Sequence, residues 1–116
     1  MVNAGVFPLG TYEQLTNREV QMQIDLNVYQ YAMFGKMLMS HLLKRDHTTL
    51  LSFTGSYAGF GPLPGLNMYA ATKGFVSYLT ESMAYEIYGS NLDISCYTPM
   101  RISTPMIEDH MESGSF

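Results

Sequence analysis

The sequence predicts an α/β fold in which helices alternate with the strands of a parallel sheet. Two helical patterns, near residues 16–43 and 68–89, alternate with short apolar stretches at the start of the chain, near residue 50 and near residue 95. This order produces right-handed parallel β-α-β crossovers, so we expect a three-layer structure with about three strands. At 116 residues with a formal net charge of −4, the chain is one mildly acidic globular unit at most.

Composition excludes several classes of function. No basic patch indicates nucleic-acid binding, no apolar run approaches the ~18 residues of a membrane span, and no signal peptide opens the chain. The single Cys96 excludes an internal disulfide and is expected to be a core thiol, while His41, His47 and His110 lack metal-ligand spacing. We therefore expect no metal site and a reducing, intracellular location, cytoplasmic by default.

The first strand is expected to end within Met1 to Gly5, before a short loop. Thr16 and Glu19 then form the T-x-x-E pattern of a capping box, which predicts the start of a helix. Apolar residues recur after it at helical spacing, so this helix is expected to run to about Leu43. The recurring positions are Val20, Ile24, Val28, Tyr31, Leu38 and Leu42, with Gly35 on the same stripe.

The next strand is expected to be buried and to cover Thr48 to Phe53, leading into Gly55 and Ser56. Open α/β sheets bind ligands in the crevice outside the carboxyl ends of their strands. Ser56 is therefore placed to hydrogen-bond a substrate oxygen.

A second helix is expected to open near Tyr69 and to end near Gly89, a natural C-cap. Tyr69 and Lys73 are four residues apart, so they lie on one helix face, one turn from each other. An ammonium group at that distance and the positive end of the helix both favour the phenolate of a tyrosine, whose pKa is ordinarily about 10. Tyr69 is therefore a candidate proton donor. The last strand, Leu92 to Thr98, stops at Pro99.

Residues 54–61, TGSYAGFG, also spell T-G-x-x-x-G-x-G, a phosphate-binding signature. That signature requires a helix to start inside it, so that the pyrophosphate meets a helix N-terminus. Pro62 and Pro64 follow at once, and a helix could hardly propagate through Pro64. We therefore interpret these glycines as loop formers.

Ser56 lies thirteen residues before the Y-x-x-x-K pattern of Tyr69 and Lys73. In this arrangement the chain resembles the short-chain dehydrogenase/reductase family, and the resemblance extends from Asn3 to about Met106. It implies a Rossmann-like three-layer parallel sheet truncated at its N-terminal cofactor-binding half. Residues 1–106 would form the catalytic half of such a domain, and residues 107–116 a frayed tail.

The resemblance implies hydride transfer between a nicotinamide cofactor and a carbonyl or alcohol. Ser56 would polarise the oxygen, Tyr69 would transfer its proton, and Lys73 would lower the tyrosine pKa and hold the nicotinamide ribose. Asn27 has two interpretations. It is either a core amide satisfied by backbone or water, or the family's asparagine that kinks this helix and anchors the water of a proton relay.

The resemblance also implies contacts to the cofactor. Asn3, Ala4 and Gly5 match the family's N-A-G, which closes the fourth strand and lines the adenosine-ribose side. Pro99, Ile102 and Thr104 match the segment that binds the nicotinamide carboxamide. Met100 replaces the glycine that this segment usually has. The full set expected to bind cofactor is Asn3, Ala4, Gly5, Tyr69, Lys73, Pro99, Ile102 and Thr104.

Residues 69–73, YAATK, together with Met100, resemble the branch that contains very-long-chain 3-oxoacyl-CoA reductases and 17-beta-hydroxysteroid dehydrogenases. That branch implies a 3-oxoacyl-CoA or steroid substrate and a role in lipid metabolism. It would also allow a location at the endoplasmic reticulum.

The family's first β-α-β-α segment carries the glycine-rich pyrophosphate loop and the residue that selects NAD or NADP, and no match to it occurs in this sequence. We expect NAD(P), with NADP slightly favoured, to bind this chain weakly or not at all, and no turnover by the chain alone. The alternative is a non-catalytic interaction module. Its homo-oligomer would form through the outer faces of the two long helices, which carry Phe34, Met37, Phe75 and Tyr78.

Overall fold

The computed structural model describes residue 1 and residues 3–99. Helices and strands alternate in it, as predicted. They are, in chain order, a 3₁₀ turn Tyr12–Gln14, helix α1 Asn17–Gln23, a π-helical segment Ile24–Tyr29, helix α2 Gln30–Leu42, strand β1 Thr49–Thr54, a 3₁₀ turn Tyr57–Phe60, helix α3 Asn67–Glu86 and strand β2 Leu92–Tyr97.

Strands β1 and β2 form a parallel pair joined by α3. Thr49 lies opposite Leu92 and Thr54 lies opposite Tyr97, so the two strands end together. Backbone hydrogen bonds continue past this end, from the amide of Gly55 to the carbonyl oxygen of Tyr97 at 2.7 Å. The β-α-β crossover predicted from the sequence is confirmed, and it brings the carboxyl ends of both strands to one edge.

The helices cover one face of this sheet. α3 packs against both strands, and the helix that runs from α1 through α2 packs beside α3. Leu51 and Phe53 on β1 point into this core and are at most 2% exposed, whereas Leu50, the residue before Leu51, is 62% exposed. The prediction of a wholly buried strand was therefore wrong for Leu50, because successive side chains alternate between a covered and an uncovered face.

The core between helices and sheet is a single apolar cluster. It consists of Tyr31, Leu42, Leu51, Phe53, Val76, Met83 and Leu92. Gly35 allows α2 to approach the sheet closely, since a Cβ there would lie 3.1 Å from the ring of Phe53. The α/β class is confirmed, with two strands and one helical layer among the described residues.

A strand end was expected at Met1 to Gly5, but the described residues of this segment form no strand. The amide of Val6 donates to Asn27 Oδ1 at 3.0 Å, and Asn27 Nδ2 donates to the carbonyl oxygen of Val6 at 2.7 Å. These are the backbone groups that a strand ladder would use at Val6. A side chain therefore takes the place of a neighbouring strand there.

The helix ends follow the local signals in the sequence. Thr16 Oγ1 accepts from the amide of Glu19, and Glu19 Oε1 accepts from the amide of Thr16, both at 3.1 Å, which is the predicted capping box. Gly89, with φ of +86°, follows the end of α3. In the described ranges, no helix combines the length and apolar character needed to cross a bilayer.

The glycine-rich loop does not open a long helix. Tyr57–Phe60 is a single 3₁₀ turn, residues 61–66 are not helical, and α3 begins only at Asn67. The interpretation of these glycines as loop formers is confirmed. Gly59 has a packing role, because a Cβ there would lie 2.7 to 2.8 Å from backbone atoms of Lys73 and Gly74. The loop therefore rests directly on α3.

We expect Gly59→Ala to lower the free energy of unfolding by about 2 kcal/mol, because the added methyl group would meet backbone atoms that cannot rotate away. Gly61→Ala is the matched control. Gly61 has an extended backbone, and a Cβ there would meet nothing within 4 Å. Urea unfolding of both variants measures the difference. Equal stabilities would show that the loop does not rest on α3 in solution.

Candidate active site

Ser56 lies where the chain leaves β1 and begins the 3₁₀ turn. Its side chain is 7% exposed, and its Oγ accepts a hydrogen bond from the amide of Ala58 at 3.2 Å. The amide of Tyr57 donates to the carbonyl oxygen of Pro99 at 3.1 Å. The segment after β1 is thereby tied to the segment after β2, and Pro99 lies at the edge of the site.

Tyr69 is in the first turn of α3 and faces Ser56. Its ring packs against Phe7, with the ring centroids 5.5 Å apart, and it is half-buried. Burial raises the pKa of Tyr69, and a hydrogen bond between its side chain and Ser56 acts in the opposite direction. The expectation that Lys73 and the helix end would favour the phenolate is not met, because removal of the phenol from water is the larger effect.

Lys73 lies one turn further along α3 and is only 4% exposed. Its Nζ donates to the carbonyl oxygen of Thr54 at 3.3 Å. The same nitrogen lies 5.1 Å from the ring centroid of Tyr31 and 5.6 Å from that of Tyr69. Burial lowers the pKa of Lys73 to about 8, while Cys96 acts weakly in the opposite direction. The ammonium form is therefore held in a largely non-aqueous site.

Asn27 is fully buried inside the π-helical segment, which interrupts the α-helix at this position. Both polar atoms of its side chain bond to Val6, as described above. A Cβ on Gly5 would lie 2.7 Å from Asn27 Oδ1 and 3.5 Å from Lys73 Nζ. The structure thus brings Gly5, Asn27 and Lys73 together, and only glycine fits between the amide and the amine.

The remaining predicted cofactor residues divide into two groups. Asn3 and Ala4 are exposed beside Gly5. The described residues do not include Ile102 and Thr104, nor Met100 and the predicted tail 107–116. No group of three metal-ligating side chains occurs in the part of the chain that the structure describes.

Two buried polar residues near Asn27 in the sequence were not identified as polar core positions from the sequence. Tyr31 was assigned to the apolar stripe, although its hydroxyl is buried without a hydrogen-bond partner in the described structure and burial raises its pKa to about 12. Gln23 is 0% exposed, and neither polar atom of its side chain is bonded there. The sequence does contain a pattern that indicates one helix face with polar groups. Gln23, Asn27 and Tyr31 follow one another at four-residue spacing.

The short chain dehydrogenase family model matches residues 1–113 of this chain. The chain belongs to the short-chain dehydrogenase family. It is 26% identical over 106 residues to the oxidoreductase UcpA of Escherichia coli, covering 91% of this chain and 40% of UcpA. It is 29% identical over 85 residues to the very-long-chain 3-oxoacyl-CoA reductase of Mycosarcoma maydis, covering 73% of this chain and 24% of the reductase.

Solved structures of short-chain dehydrogenases show the same fold. The 3-ketoacyl-(acyl-carrier-protein) reductase from Brucella melitensis, in complex with NADH, matches with a TM-score of 0.85 and 23% identity, over 95% of this chain and 47% of that one. ElxO with bound NADP matches with a TM-score of 0.84 and 23% identity, over 98% of this chain and 46% of that one. The chain therefore spans about half the length of these family members or less.

Two buried side-chain amides among the described residues, Asn27 and Gln23, make a matched pair for mutation. Asn27→Leu would leave the amide and carbonyl of Val6 unpaired, so we expect it to lower the free energy of unfolding by roughly 2 kcal/mol or more. Gln23→Leu removes a buried amide with no bonded partner in the described structure, so we expect no loss of stability or a small gain. Urea unfolding and hydrogen exchange at the Val6 amide test both. Equal losses would contradict this assignment of the hydrogen bonds.

The buried amine also predicts how stability depends on pH. Because the pKa of Lys73 falls from 10.5 to about 8 on folding, the unfolded chain binds this proton more tightly, and protonation favours unfolding. The free energy of unfolding should therefore rise with pH across this window. Between about pH 7 and about pH 9.5 we expect wild type to gain roughly 2 kcal/mol relative to Lys73→Met. Denaturant titrations at several pH values measure the gain, and parallel curves would show that the amine is solvated.

Proposed function

We propose that this chain carries the catalytic half of an NAD(P)-dependent oxidoreductase that interconverts a carbonyl and an alcohol. The observation that carries the proposal is the placement of Ser56 beside the side chain of Tyr69, one helical turn from the buried amine of Lys73. This arrangement combines a donor for the substrate oxygen with a phenol that can transfer its proton. Membership in the short-chain dehydrogenase family supports the reaction class.

The surroundings of Lys73 fit a nicotinamide cofactor. An ammonium group has three donors, and the described structure gives Lys73 Nζ one protein acceptor, the carbonyl oxygen of Thr54. The others are available to ribose hydroxyl groups. Gly5 adds no side chain next to Nζ, which a Cβ there would approach to 3.5 Å. Asn3, Ala4 and Pro99 would border the cofactor. When bound, it supplies or accepts the hydride, and the NADH and NADP in the two solved structures support this class of cofactor.

In the reducing direction, Ser56 donates a hydrogen bond to the substrate oxygen and Tyr69 donates its proton to that oxygen. The raised pKa keeps the Tyr69 phenol protonated at neutral pH, which suits a proton donor. Lys73, protonated below a pKa of about 8, stabilises the phenolate that remains. Asn27 holds the π-helical segment beside Lys73, where a water would connect the amine to solvent.

A 3-oxoacyl-CoA or steroid is the proposed substrate class. The sequence YAATK at residues 69–73 and the similarity to the Mycosarcoma maydis reductase support it. We also propose that the chain alone binds NADPH weakly and lacks turnover, because dinucleotide affinity depends largely on a pyrophosphate at a glycine-rich helix N-terminus. In the described residues, the glycine-rich segment opens only a 3₁₀ turn.

The second candidate function is a non-catalytic interaction module that forms homo-oligomers. Large side chains on the outer helix surfaces favour it, since Phe34, Met37 and Tyr78 are 43%, 60% and 75% exposed. Phe75 does not belong to this surface, because it is partly buried and packs against the core cluster. The two candidates differ in whether Tyr69 matters for turnover.

One experiment separates the candidates. The chain alone, and the chain joined behind the segment of UcpA that precedes their matched region, are titrated with NADPH by calorimetry. Both are then assayed with ketones and 3-oxoacyl thioesters. We expect the chain alone to bind NADPH weakly and to show no turnover. The joined protein should bind NADPH and turn over substrate. There, Tyr69→Phe should lower kcat by roughly 10² to 10⁴ because the proton donor is lost.

Tyr78→Phe is the matched control, since it removes the hydroxyl of an exposed tyrosine on the same helix. Its kcat should equal that of the unmodified joined protein. A joined protein that binds NADPH without turnover would favour the interaction module. Micromolar binding with Tyr69-dependent turnover by the chain alone would contradict the proposed dependence on a further segment.

A further inference from the structure

Lys73 is a buried ammonium group that has no carboxylate partner among the residues the structure describes. Among the described residues, the only ion pair joins His47 to Asp46, and both lie in the turn before β1. Lys73 is 4% exposed and has one hydrogen bond, to the carbonyl oxygen of Thr54. Removing an ammonium from water is costly unless other groups stabilise the charge. The surroundings of Nζ must therefore supply that stabilisation.

Two aromatic rings lie next to this nitrogen. The ring centroid of Tyr31 is 5.1 Å away and that of Tyr69 is 5.6 Å away, both within the range of a cation–π contact. Tyr31 is 0% exposed, so water competes little for its ring face. It comes from α2, whereas Tyr69 and Lys73 share α3, so the two rings approach the amine from different helices.

We propose that Tyr31 is a positioning residue for Lys73, whose ring face, together with that of Tyr69, stabilises the ammonium form and holds Nζ beside Gly5 and Asn27. The role of Lys73 in catalysis rests on the proposed function. The contact between ring and ammonium does not. Tyr31 thereby takes the place that a carboxylate has beside most buried lysines.

The charged and titratable groups around Nζ support a contact with the ring rather than with a phenolate. Tyr31 faces it from α2, Tyr69 from α3 and Cys96 from β2, while β1 contributes the carbonyl of Thr54. Burial raises the pKa of Tyr31 to about 12, so its hydroxyl stays protonated at neutral pH. The attraction to Nζ therefore comes from the electrons of the ring face.

The titration of Lys73 itself tests the proposal. The chain contains three lysines, Lys36, Lys44 and Lys73, so lysine labelled with carbon-13 at Cε gives three resonances. Lys73→Met identifies the third. The full chain is titrated as wild type, as Tyr31→Phe, and with mono-, di- or trifluorophenylalanine at position 31. Fluorine withdraws electrons from the ring face with little change in shape, so the series avoids a cavity.

We expect Tyr31→Phe to leave the titration midpoint of Lys73 unchanged, because the ring remains. Each added fluorine should then lower the midpoint, by roughly 0.5 to 1 pH unit in total. Tyr31→Leu should lower it at least as far. Tyr29→Leu is the control, since Tyr29 ends the π-helical segment just before α2 and is 61% exposed. In this variant the midpoint of Lys73 should equal that of wild type.

A midpoint that is constant across the fluorinated series would overturn the proposal. A fall already complete in Tyr31→Phe would also overturn it, because the hydroxyl would then be the stabilising group. Turnover of the joined protein is read separately. If the titration midpoint of Lys73 falls along the fluorinated series but the joined protein has no turnover, the ring contact is supported and the proposed function is rejected. If the joined protein does have turnover, its pH–rate profile should shift together with the midpoint of Lys73. A profile that stays fixed across the fluorinated series would reject the positioning role of Tyr31.

Discussion

The burial of one amine is the constraint on which this structure depends. Lys73 Nζ is stabilised by a carbonyl at the end of β1, by a ring from α2 and by a ring from α3. On its remaining side, Gly5 allows the N-terminal segment to pass close by. Because each contact comes from a different element, the relative placement of strand, helices and N-terminal segment is fixed around a single nitrogen atom.

Asn27 joins this arrangement to the N-terminal segment. Its side chain occupies the backbone groups of Val6, so the segment is held by an amide rather than by a neighbouring strand. On the other side, the amide of Tyr57 binds the carbonyl oxygen of Pro99, which connects the ends of β1 and β2. The candidate catalytic residues are thus surrounded by backbone segments that are tied to one another.

Local patterns in the sequence predicted much of this structure. The capping box at Thr16 and the four-residue spacing of Tyr69 and Lys73 depend on nearby residues only, so they could be identified directly. The exposure of Leu50 could not, because a strand pattern does not reveal which sheet face is covered. The raised pKa of Tyr69 depends on burial by residues distant in the sequence, such as Phe7. The π-helical bonding was not predicted, because the helical template assumes α periodicity throughout, and a kink at Asn27 followed only from the family resemblance.

That segment has a consequence for insertions and deletions. At its end, the amide of Gln30 bonds to the carbonyl of Asp25, five residues back rather than four, so the turn contains one residue more than an α-helical turn. Deletion of one residue within Ile24–Tyr29 would restore α-helical bonding while α1 and α2 keep their rotation about the helix axis, because the wide turn takes up the extra residue. The same deletion within α1 or α2 would rotate the turns on its two sides by roughly 100° relative to each other. The loss of one residue is therefore better accommodated in Ile24–Tyr29 than in the α-helical turns beside it.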